Sequence, residues 1–168
     1  IKDLFYNTPA RLKFIKSKTA EKNSLQKTLD SFFISHPHIE FHLKWDNHDK
    51  QVFPSAKDLF QRIAQVLKVD QSQCLAIHKD FDGYLIEGLV VNGPGHSPSR
   101  RKHYLFVNNR FIIDKRLHKM IMGNLKKSWG DEGQSGDYVL FLKVPRPHID
   151  VNVHPNKTIV KFSKGQLV

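Results

Sequence analysis

The chain has 168 residues, 39% of them hydrophobic and 26% charged, which is the mixture of an ordinary globular domain. A domain of this size buries about 70% of its unfolded surface, so it can form a full core. No apolar run approaches the roughly 18 residues that a membrane-spanning helix needs. Its single cysteine, Cys74, excludes an internal disulfide. We therefore expect a soluble intracellular protein with no membrane anchor.

The net charge of +11 is concentrated in one part of the chain. Residues 93–130 carry nine lysines and arginines against one acidic residue, Asp114, whereas residues 39–92 carry six basic and eight acidic residues. Such a concentration attracts phosphate backbones or acidic surfaces through summed Coulomb attraction and counterion release. A basic face that is merely solvated is the alternative interpretation.

The first predicted elements are two helices. Thr8 followed by Pro9 is typical of a helix start, because the hydroxyl can cap free amides and proline fixes the φ of the first helical position. This helix is expected to run through Phe14. A second, amphipathic helix is indicated by apolar residues at i, i+4, i+7 and i+8 and ends near His36-Pro37. The residues that define its apolar side are Leu25, Leu29, Phe32 and Phe33.

A hairpin and a third helix follow. Strict alternation over residues 39–45 predicts a strand with Ile39 and Trp45 on its apolar face, and residues 51–53 are its predicted partner. The next helix carries a stripe for the core, consisting of Ala56, Leu59, Phe60, Ile63, Val66 and Leu67. Further strands are predicted at residues 74–77 and 84–91.

The second half begins with a loop rich in glycine, proline and serine at residues 93–99. Asn108 and Asn109 separate two apolar runs and predict a tight hairpin, because asparagine tolerates positive φ. Asp114 is expected to cap a helix whose buried side consists of Leu117, Met120, Ile121 and Leu125. Strands over residues 138–144 and 158–162 complete an α+β (α/β two-layer) fold, a mixed sheet covered by helices.

Few motifs for catalysis occur. Both glycine-rich nucleotide fingerprints are absent, and the ten histidines form no H-E-x-x-H pattern. A metal site is therefore not favoured, and no G-x-S-x-G elbow occurs, although a catalytic set assembled from distant residues stays open. Cys74 lies in an apolar run and is interpreted as a small buried hydrophobe.

Residues 149–157, with the sequence IDVNVHPNK, are unlike the rest of the chain. Pro155 restricts His154 to extended conformations and ends the predicted strand, leaving a rigid loop that presents Asn156 and Lys157. A lysine on such a loop suits an anion such as a nucleotide phosphate. An ordinary surface lysine is the alternative.

Three segments together resemble the MutL family of mismatch repair proteins. They are DLFYNTPAR at residues 3–11, followed by Lys13-Phe14, then FVNNR at residues 106–110 and DVNVHPNK at residues 150–157. Their order and spacing match over essentially the whole chain, although residues 38–100 carry no recognised motif. Asn109 stands where the family usually has glycine, which is compatible with the same hairpin.

The resemblance implies a place in a longer protein. In that family, an ATP-binding domain of the GHKL superfamily precedes a transducer domain that resembles domain 2 of ribosomal protein S5, with helices on one face of its sheet. Residues 16–168 resemble the transducer domain. Residues 1–15 resemble the junction of the two domains, with Asn7, Thr8, Pro9 and Arg11 as its motif residues. We therefore expect the chain to be a piece of that longer protein.

The resemblance also implies nucleotide sensing. Lys157 would contact the γ-phosphate of ATP bound in the preceding domain, with Asn152, His154, Pro155 and Asn156 supporting its loop. Because ATP and ADP differ by that phosphate, the domain arrangement would follow hydrolysis. The fragment has no complete catalytic set and is expected to bind no cofactor alone; ATP and Mg belong to the parent ATPase.

Finally, the resemblance implies DNA as a partner, because family members bind DNA in a positively charged groove lined by this domain. The expected phosphate contacts are Arg100, Arg101, Lys102, Arg110, Lys115, Arg116 and Lys119. No pattern for reading bases is present, so binding to single- or double-stranded DNA should be sequence-independent and salt-sensitive. The parent is expected to be a homodimer and a partner of MutS, either in the bacterial cytoplasm with the nucleoid or in a eukaryotic nucleus. The alternative is a self-contained S5-like nucleic-acid-binding module in which Lys157 is incidental.

Overall fold

A computed structural model of the chain describes residues 6–13, 17–45, 50–91, 102–129, 136–150 and 161–162. Within these ranges the α-helices are α1 (Pro9–Leu12), α2 (Lys18–Ser35), α3 (Leu59–Leu67) and α4 (Lys115–Trp129). The strands are β1 (Phe41–Leu43), β2 (Gln51–Phe53), β3 (Cys74–Phe81), β4 (Tyr84–Val91), β5 (His103–Val107), β6 (Arg110–Ile112), β7 (Tyr138–Lys143), β8 (Ile149–Asp150) and β9 (Lys161–Phe162). In the described ranges, every helix is too short or too polar to cross a lipid bilayer.

A five-stranded sheet organises the fold in the order β3-β4-β7-β5-β6. The pairing of β5 with β7 is parallel, and the other three pairings are antiparallel. Because parallel neighbours need a crossover connection, α4 follows the β5–β6 hairpin and returns the chain to the start of β7. The pairs β1–β2 and β8–β9 form two small antiparallel sheets of their own. The predicted mixed sheet is confirmed.

The core lies on both faces of the sheet. Tyr104 and Phe106 of β5 belong to a cluster with residues of α2 and α3, whereas Leu105 and Val107 belong to a cluster with Leu117 of α4. Alternate side chains of a strand point to opposite faces, and here both sets are apolar. The predicted α+β class is confirmed, but helices cover two faces of the sheet and not one, because the second apolar set needs a cover of its own.

Helix α2 ends as predicted, but its buried side differs from the predicted one. Leu25 and Phe32 are 53% and 51% exposed, while Asp30 and Ser31 are buried. The reason is a hydrogen bond that the spacing of apolar residues does not indicate. The Tyr104 hydroxyl of β5 donates to the Asp30 carboxylate at 2.7 Å. That bond selects the face of α2 that packs on the sheet.

Other predicted core positions lie at the surface. Ile39 is exposed, and β1 covers only residues 41–43 because its two-stranded sheet is short. Phe60 and Met120 are exposed on α3 and α4. Cys74 is half-buried at the beginning of the edge strand β3, where burial raises the pKa of its thiol.

Arg62 of α3 is a buried basic residue that fastens a loop to the core. Its side chain is fully buried, and its Nη2 donates to the carbonyl oxygens of Pro37, at 2.8 Å, and Ile39. Its guanidinium also lies 5.5 Å from the centre of the Phe41 ring. The chain between α2 and β1 is therefore held against α3 by a charged group.

Candidate nucleic-acid interface

The outer face of α4 carries most of the exposed positive charge that the sequence analysis singled out. The helix begins after Asp114, whose carboxylate accepts hydrogen bonds from the backbone N–H groups of Arg116 and Leu117 at 2.8 and 3.1 Å. Five basic side chains of the helix are exposed, namely Lys115, Arg116, Lys119, Lys126 and Lys127. At about 100° per residue they occupy an arc of about 120°. We call these five side chains the basic face of α4.

The buried side of α4 fixes the direction of that face. Leu117 is buried, and Ile121 and Leu125 pack against the same core cluster. These residues lie on the opposite side of the helix from the basic face, because positions three and four apart share one side. Burial of the apolar stripe therefore turns the lysines and Arg116 towards solvent.

Arg110 is exposed at the start of the edge strand β6, after the turn formed by Asn108 and Asn109. Both asparagines have positive φ, +48° and +65°, which confirms the predicted tight hairpin. The Asn108 side chain also donates to the Val144 carbonyl at 3.0 Å and accepts from the Val144 N–H at 2.8 Å. Asn108 therefore ties this turn to the end of β7, which explains an asparagine at that position.

Lys102 differs from the other basic candidates because its ammonium points into the protein. Its Nζ donates to the Val66 carbonyl of α3 and lies 3.9 Å from the Asp30 carboxylate. Desolvation lowers the pKa of Lys102, although Asp30 raises it. The structure thus separates Lys102 from Arg110 and the basic face of α4.

A pocket lies at the beginning of α4, beside the basic face. Its volume is about 180 Å³, and its polar lining comes from Lys27, His103, Asp114, Lys115, His118 and Tyr138. The rings of His103 and His118 are 4.8 Å apart, and Nδ1 of His118 is 2.8 Å from the Tyr138 hydroxyl. Of the predicted DNA contacts, Lys115 is the one in this lining.

Burial, with a smaller contribution from mutual repulsion, disfavours the charged forms of the basic groups in the pocket. Desolvation, followed by the neighbouring His118, lowers the pKa of His103 to about 4. Desolvation and Lys27 lower the pKa of His118, and desolvation lowers the pKa of Lys27. Burial raises the pKa of Tyr138 to about 12, so its hydroxyl stays protonated and can donate to His118.

The remaining candidates divide between described and undescribed parts of the chain. Asn7 and Pro9 are exposed, Thr8 is half-buried and α1 begins at Pro9, as predicted. Arg11 belongs to α1, but its side chain lies outside the described part. The candidates that lie wholly outside the described residues are Arg100, Arg101, Asn152, His154, Pro155, Asn156 and Lys157.

The residues that flank the IDVNVHPNK loop are described. Ile149 pairs with Phe162 and Asp150 pairs with Lys161 in the β8–β9 ladder. The Tyr84 hydroxyl of β4 lies 2.7 Å from Nδ1 of His148, immediately before β8. The chain entering residues 151–160 is therefore attached to the main sheet, and the chain leaving them returns beside it.

Two glycines among the described residues are needed for strand packing. A Cβ on Gly88 would lie 2.1 Å from the Val139 oxygen, and one on Gly136 would lie 1.9 Å from the Val91 oxygen. Neither glycine is available to approach a phosphate. In the same part of the chain, histidine, cysteine, aspartate and glutamate nowhere form a group of three that could hold a metal.

Sequence reasoning missed the network around Asp30 and the pocket beside α4. Asp30 appears as a polar residue inside an apolar pattern, which is the signal that could have marked it as buried and bonded. His103 and Tyr138 begin strands that are 35 residues apart in the chain but are paired in register. No spacing along the sequence indicates that pairing.

Comparison with known proteins identifies relatives of the chain. A family model described as "DNA mismatch repair protein, C-terminal domain" matches residues 63–168. The chain is 37% identical to the DNA mismatch repair protein MutL of Neisseria meningitidis, with 99% of the chain and 25% of that protein aligned. It is 34% identical to MutL of Dictyoglomus thermophilum, over 100% of the chain and 29% of that protein. The chain thus spans about a quarter of the length of these relatives.

Solved structures give a matching fold. The Aquifex aeolicus MutL ATPase domain complexed with ADP superposes with a TM-score of 0.64 at 21% identity, covering 86% of this chain and 51% of that one. At this identity the likeness is one of fold, and it agrees with the S5-like architecture expected from the sequence.

Proposed function

The chain belongs to the MutL family of DNA mismatch repair proteins, and we propose that it has two tasks there. The first is to provide a sequence-independent DNA-binding surface. The second is to sense ATP bound in a preceding GHKL-type ATPase domain. In this proposal residues 1–15 form the junction with that domain and residues 16–168 form the transducer domain.

The observation that carries the DNA-binding proposal is the basic face of α4. Its five cations are exposed, and the helix is held by a buried apolar stripe on the opposite side. A rigid row of exposed lysines and arginines matches the spaced charges of a nucleic-acid backbone and can release counterions from it. Arg110 on the neighbouring hairpin, together with Arg100 and Arg101, completes the proposed surface. Lys102 contributes to folding in this account.

The ATP-sensing proposal rests on Lys157 and on family membership. One similar protein is described as an ATPase domain complexed with ADP, which supports a nucleotide in the parent protein. The proposal is limited to a contact from Lys157 to the terminal phosphate. The rest of the pocket and any Mg ion would belong to the preceding domain, and the fragment alone would not hydrolyse ATP.

The DNA-binding proposal is tested with a triple variant, Lys115→Gln, Arg116→Gln and Lys119→Gln. Its affinity for duplex DNA should fall by up to about a thousandfold at roughly 0.1 M salt, because each of the three lost phosphate contacts removes up to about one decade. The matched control is Lys44→Gln, Lys57→Gln and Lys79→Gln, which removes the same charge from exposed positions elsewhere. Equal losses in both triple variants would refute a localised surface.

The ATP-sensing proposal is tested in a version of the chain extended at its N-terminus to include the preceding domain. Lys157→Ala should impair ATP hydrolysis there, and Lys79→Ala should leave it unchanged. A self-contained nucleic-acid-binding module predicts no effect of Lys157→Ala. Hydrolysis by the unextended fragment would contradict the proposal that the catalytic pocket lies in the preceding domain.

The wider setting is also a proposal. We expect the parent protein to be a homodimer that works with MutS on DNA, in the bacterial cytoplasm with the nucleoid. Relatives named DNA mismatch repair protein MutL in several bacteria support that setting.

A further inference from the structure

The pocket at the beginning of α4 brings together basic groups from three elements. Lys27 comes from α2, His103 from β5, and Lys115 and His118 from α4. Lys27 belongs to a helix of the opposite sheet face and reaches the pocket beside the edge strand, where its Nζ lies 5.8 Å from the centre of the Phe111 ring. Four basic side chains therefore converge from different parts of the chain.

The nearby acidic groups are already engaged. The Asp114 carboxylate caps α4 through the N–H groups of Arg116 and Leu117. Asp137, which precedes β7, is buried and accepts a hydrogen bond from the Lys102 N–H at 2.8 Å. Within the described part of the chain, neither Lys27 nor Lys115 forms an ion pair. The lining thus has four basic side chains against one carboxylate, that of Asp114, which is bonded to the backbone of α4.

The hydrogen bonds of the two histidines leave donors for a ligand. With the Tyr138 hydroxyl donating to Nδ1 of His118, the proton of neutral His118 is on Nε2. His103 donates from Nε2 to the Gly136 carbonyl at 3.3 Å, so a second proton would be taken up on Nδ1. The first backbone N–H groups of α4 are occupied by Asp114, so side chains must supply the contacts.

We propose that this pocket binds a tetrahedral oxyanion, the phosphate group of a nucleic-acid backbone or of a small molecule, and that His103 takes up a proton when the anion binds. The two lysines supply charge, and His118 supplies a neutral N–H donor. The case in which the phosphate belongs to DNA rests on the proposed DNA-binding function. The binding of the anion itself does not.

The electrostatics give the proposal a pH dependence. Desolvation, followed by His118 and Lys27, lowers the pKa of His103 to about 4, while the Gly136 carbonyl and Asp137 raise it. A dianion beside these cations would raise the pKa of His103, because an opposite charge favours the protonated form. Binding should therefore strengthen as the pH falls through the raised pKa and level off near the original value of about 4.

Sulfate is the probe of choice because it remains a dianion over this pH range, whereas phosphate gains a proton. The ring resonances of His103 and His118 are followed by NMR during sulfate titration, with chloride keeping the ionic strength constant. We expect the pKa of His103 to rise by at least about one unit, which corresponds to tenfold tighter binding to the protonated form. Histidine resonances and pKa values that do not change with sulfate would overturn the proposal.

Lys27→Gln is the decisive variant. Because Lys27 lies in the lining, sulfate affinity should fall about tenfold and the rise in the pKa of His103 should shrink. The matched control, Lys22→Gln, removes a charge from the same helix at a position where Nζ lies over the Trp45 ring. Equal losses in the two variants would mean general screening and would refute a built site.

A duplex DNA competition identifies the source of the phosphate. If short duplex DNA displaces sulfate, a backbone phosphate occupies the pocket. If sulfate binds but the duplex does not displace it, the pocket takes a small phosphate-bearing molecule, and the basic face of α4 binds DNA without it. Both outcomes support the anion site. If sulfate does not bind at all, the anion site is refuted, and the DNA-binding proposal is still tested separately by the triple variant of α4.

Discussion

Two neighbouring residues of β5, His103 and Tyr104, project to opposite faces of the sheet into opposite electrostatic surroundings. On the Tyr104 side, Asp30 accepts from the Tyr104 hydroxyl and from Gln26, both at 2.7 Å, and it faces Lys102 at 3.9 Å. On the His103 side, four basic groups adjoin one another, and the one carboxylate of the lining, Asp114, is bonded to the backbone of α4. One cluster is neutralised within the protein, and the other is not.

The difference separates charges that hold the fold from charges that are available to a ligand. A buried carboxylate with three partners is costly to remove, because the buried Tyr104 hydroxyl would be left without an acceptor. A surface cluster with more basic than acidic side chains disfavours its own protonation and can favour an anion. The two clusters should therefore respond to different experiments.

The largest expected effect is that of Asp30→Ala on stability. Removing the carboxylate leaves the Tyr104 hydroxyl and the Lys102 ammonium without their partner beneath α2. We expect the free energy of unfolding in urea to fall by about 3 kcal/mol. Asp80→Ala, at an exposed position of β3, should change it by less than about 0.5 kcal/mol. A loss below about 1 kcal/mol for Asp30→Ala would contradict the structural role of this cluster.

The next effect is a pH dependence from the His103 side. Folding lowers the pKa of His103 from 6.5 to about 4, so the unfolded chain binds a proton more readily between these values. The free energy of unfolding should therefore fall as the pH is lowered from about 6.5 to about 4, by about 2 kcal/mol after allowance for partial exposure. His103→Gln should reduce this fall, and His78→Gln, exposed on β3, should not. Stability that rises towards pH 4 would contradict the assignment.

The smallest effect separates two lysines that the sequence analysis treated alike. Lys115→Gln should weaken duplex DNA binding by up to about tenfold and lower the slope of affinity against salt by about one, with little change in stability. Lys102→Gln should lower the stability and leave duplex DNA binding nearly unchanged, because the Lys102 ammonium bonds to the Val66 carbonyl and faces Asp30. Salt titrations of DNA binding and urea unfolding of both variants measure these two effects. A larger loss of DNA affinity for Lys102→Gln than for Lys115→Gln would contradict the different roles of the two lysines.

Local patterns predicted most of the elements. Capping signals predicted the helix starts at Pro9 and after Asp114, and tolerance of positive φ predicted the turn at Asn108 and Asn109. The strands β3 and β4 were also predicted, although β3 extends to Phe81 and not only to Ile77. The residues of each signal lie within a few positions of each other, so the signal can be recognised from the sequence alone. The basic face of α4 could be predicted for the same reason, because helical periodicity sorts its cations from its apolar stripe.

Contacts between distant segments could not be predicted. Leu25, predicted to be buried, is exposed, and Asp30 is buried because its partner Tyr104 is 74 residues away on β5. Lys102 sits in a basic run yet turns inward for the same reason. The His103 pocket depends on the parallel pairing of β5 with β7 and on Lys27 from α2. Each case requires the tertiary fold.

The most direct test of the account is the salt dependence of duplex DNA binding, measured on two duplexes of unrelated sequence. Arg110 and the basic face of α4 should give both duplexes the same affinity, and its logarithm should fall linearly with the logarithm of the salt concentration. The expected slope is roughly −5, because six phosphate contacts would each contribute about 0.9. A slope near zero, or a strong preference for one duplex, would contradict a sequence-independent phosphate-binding surface.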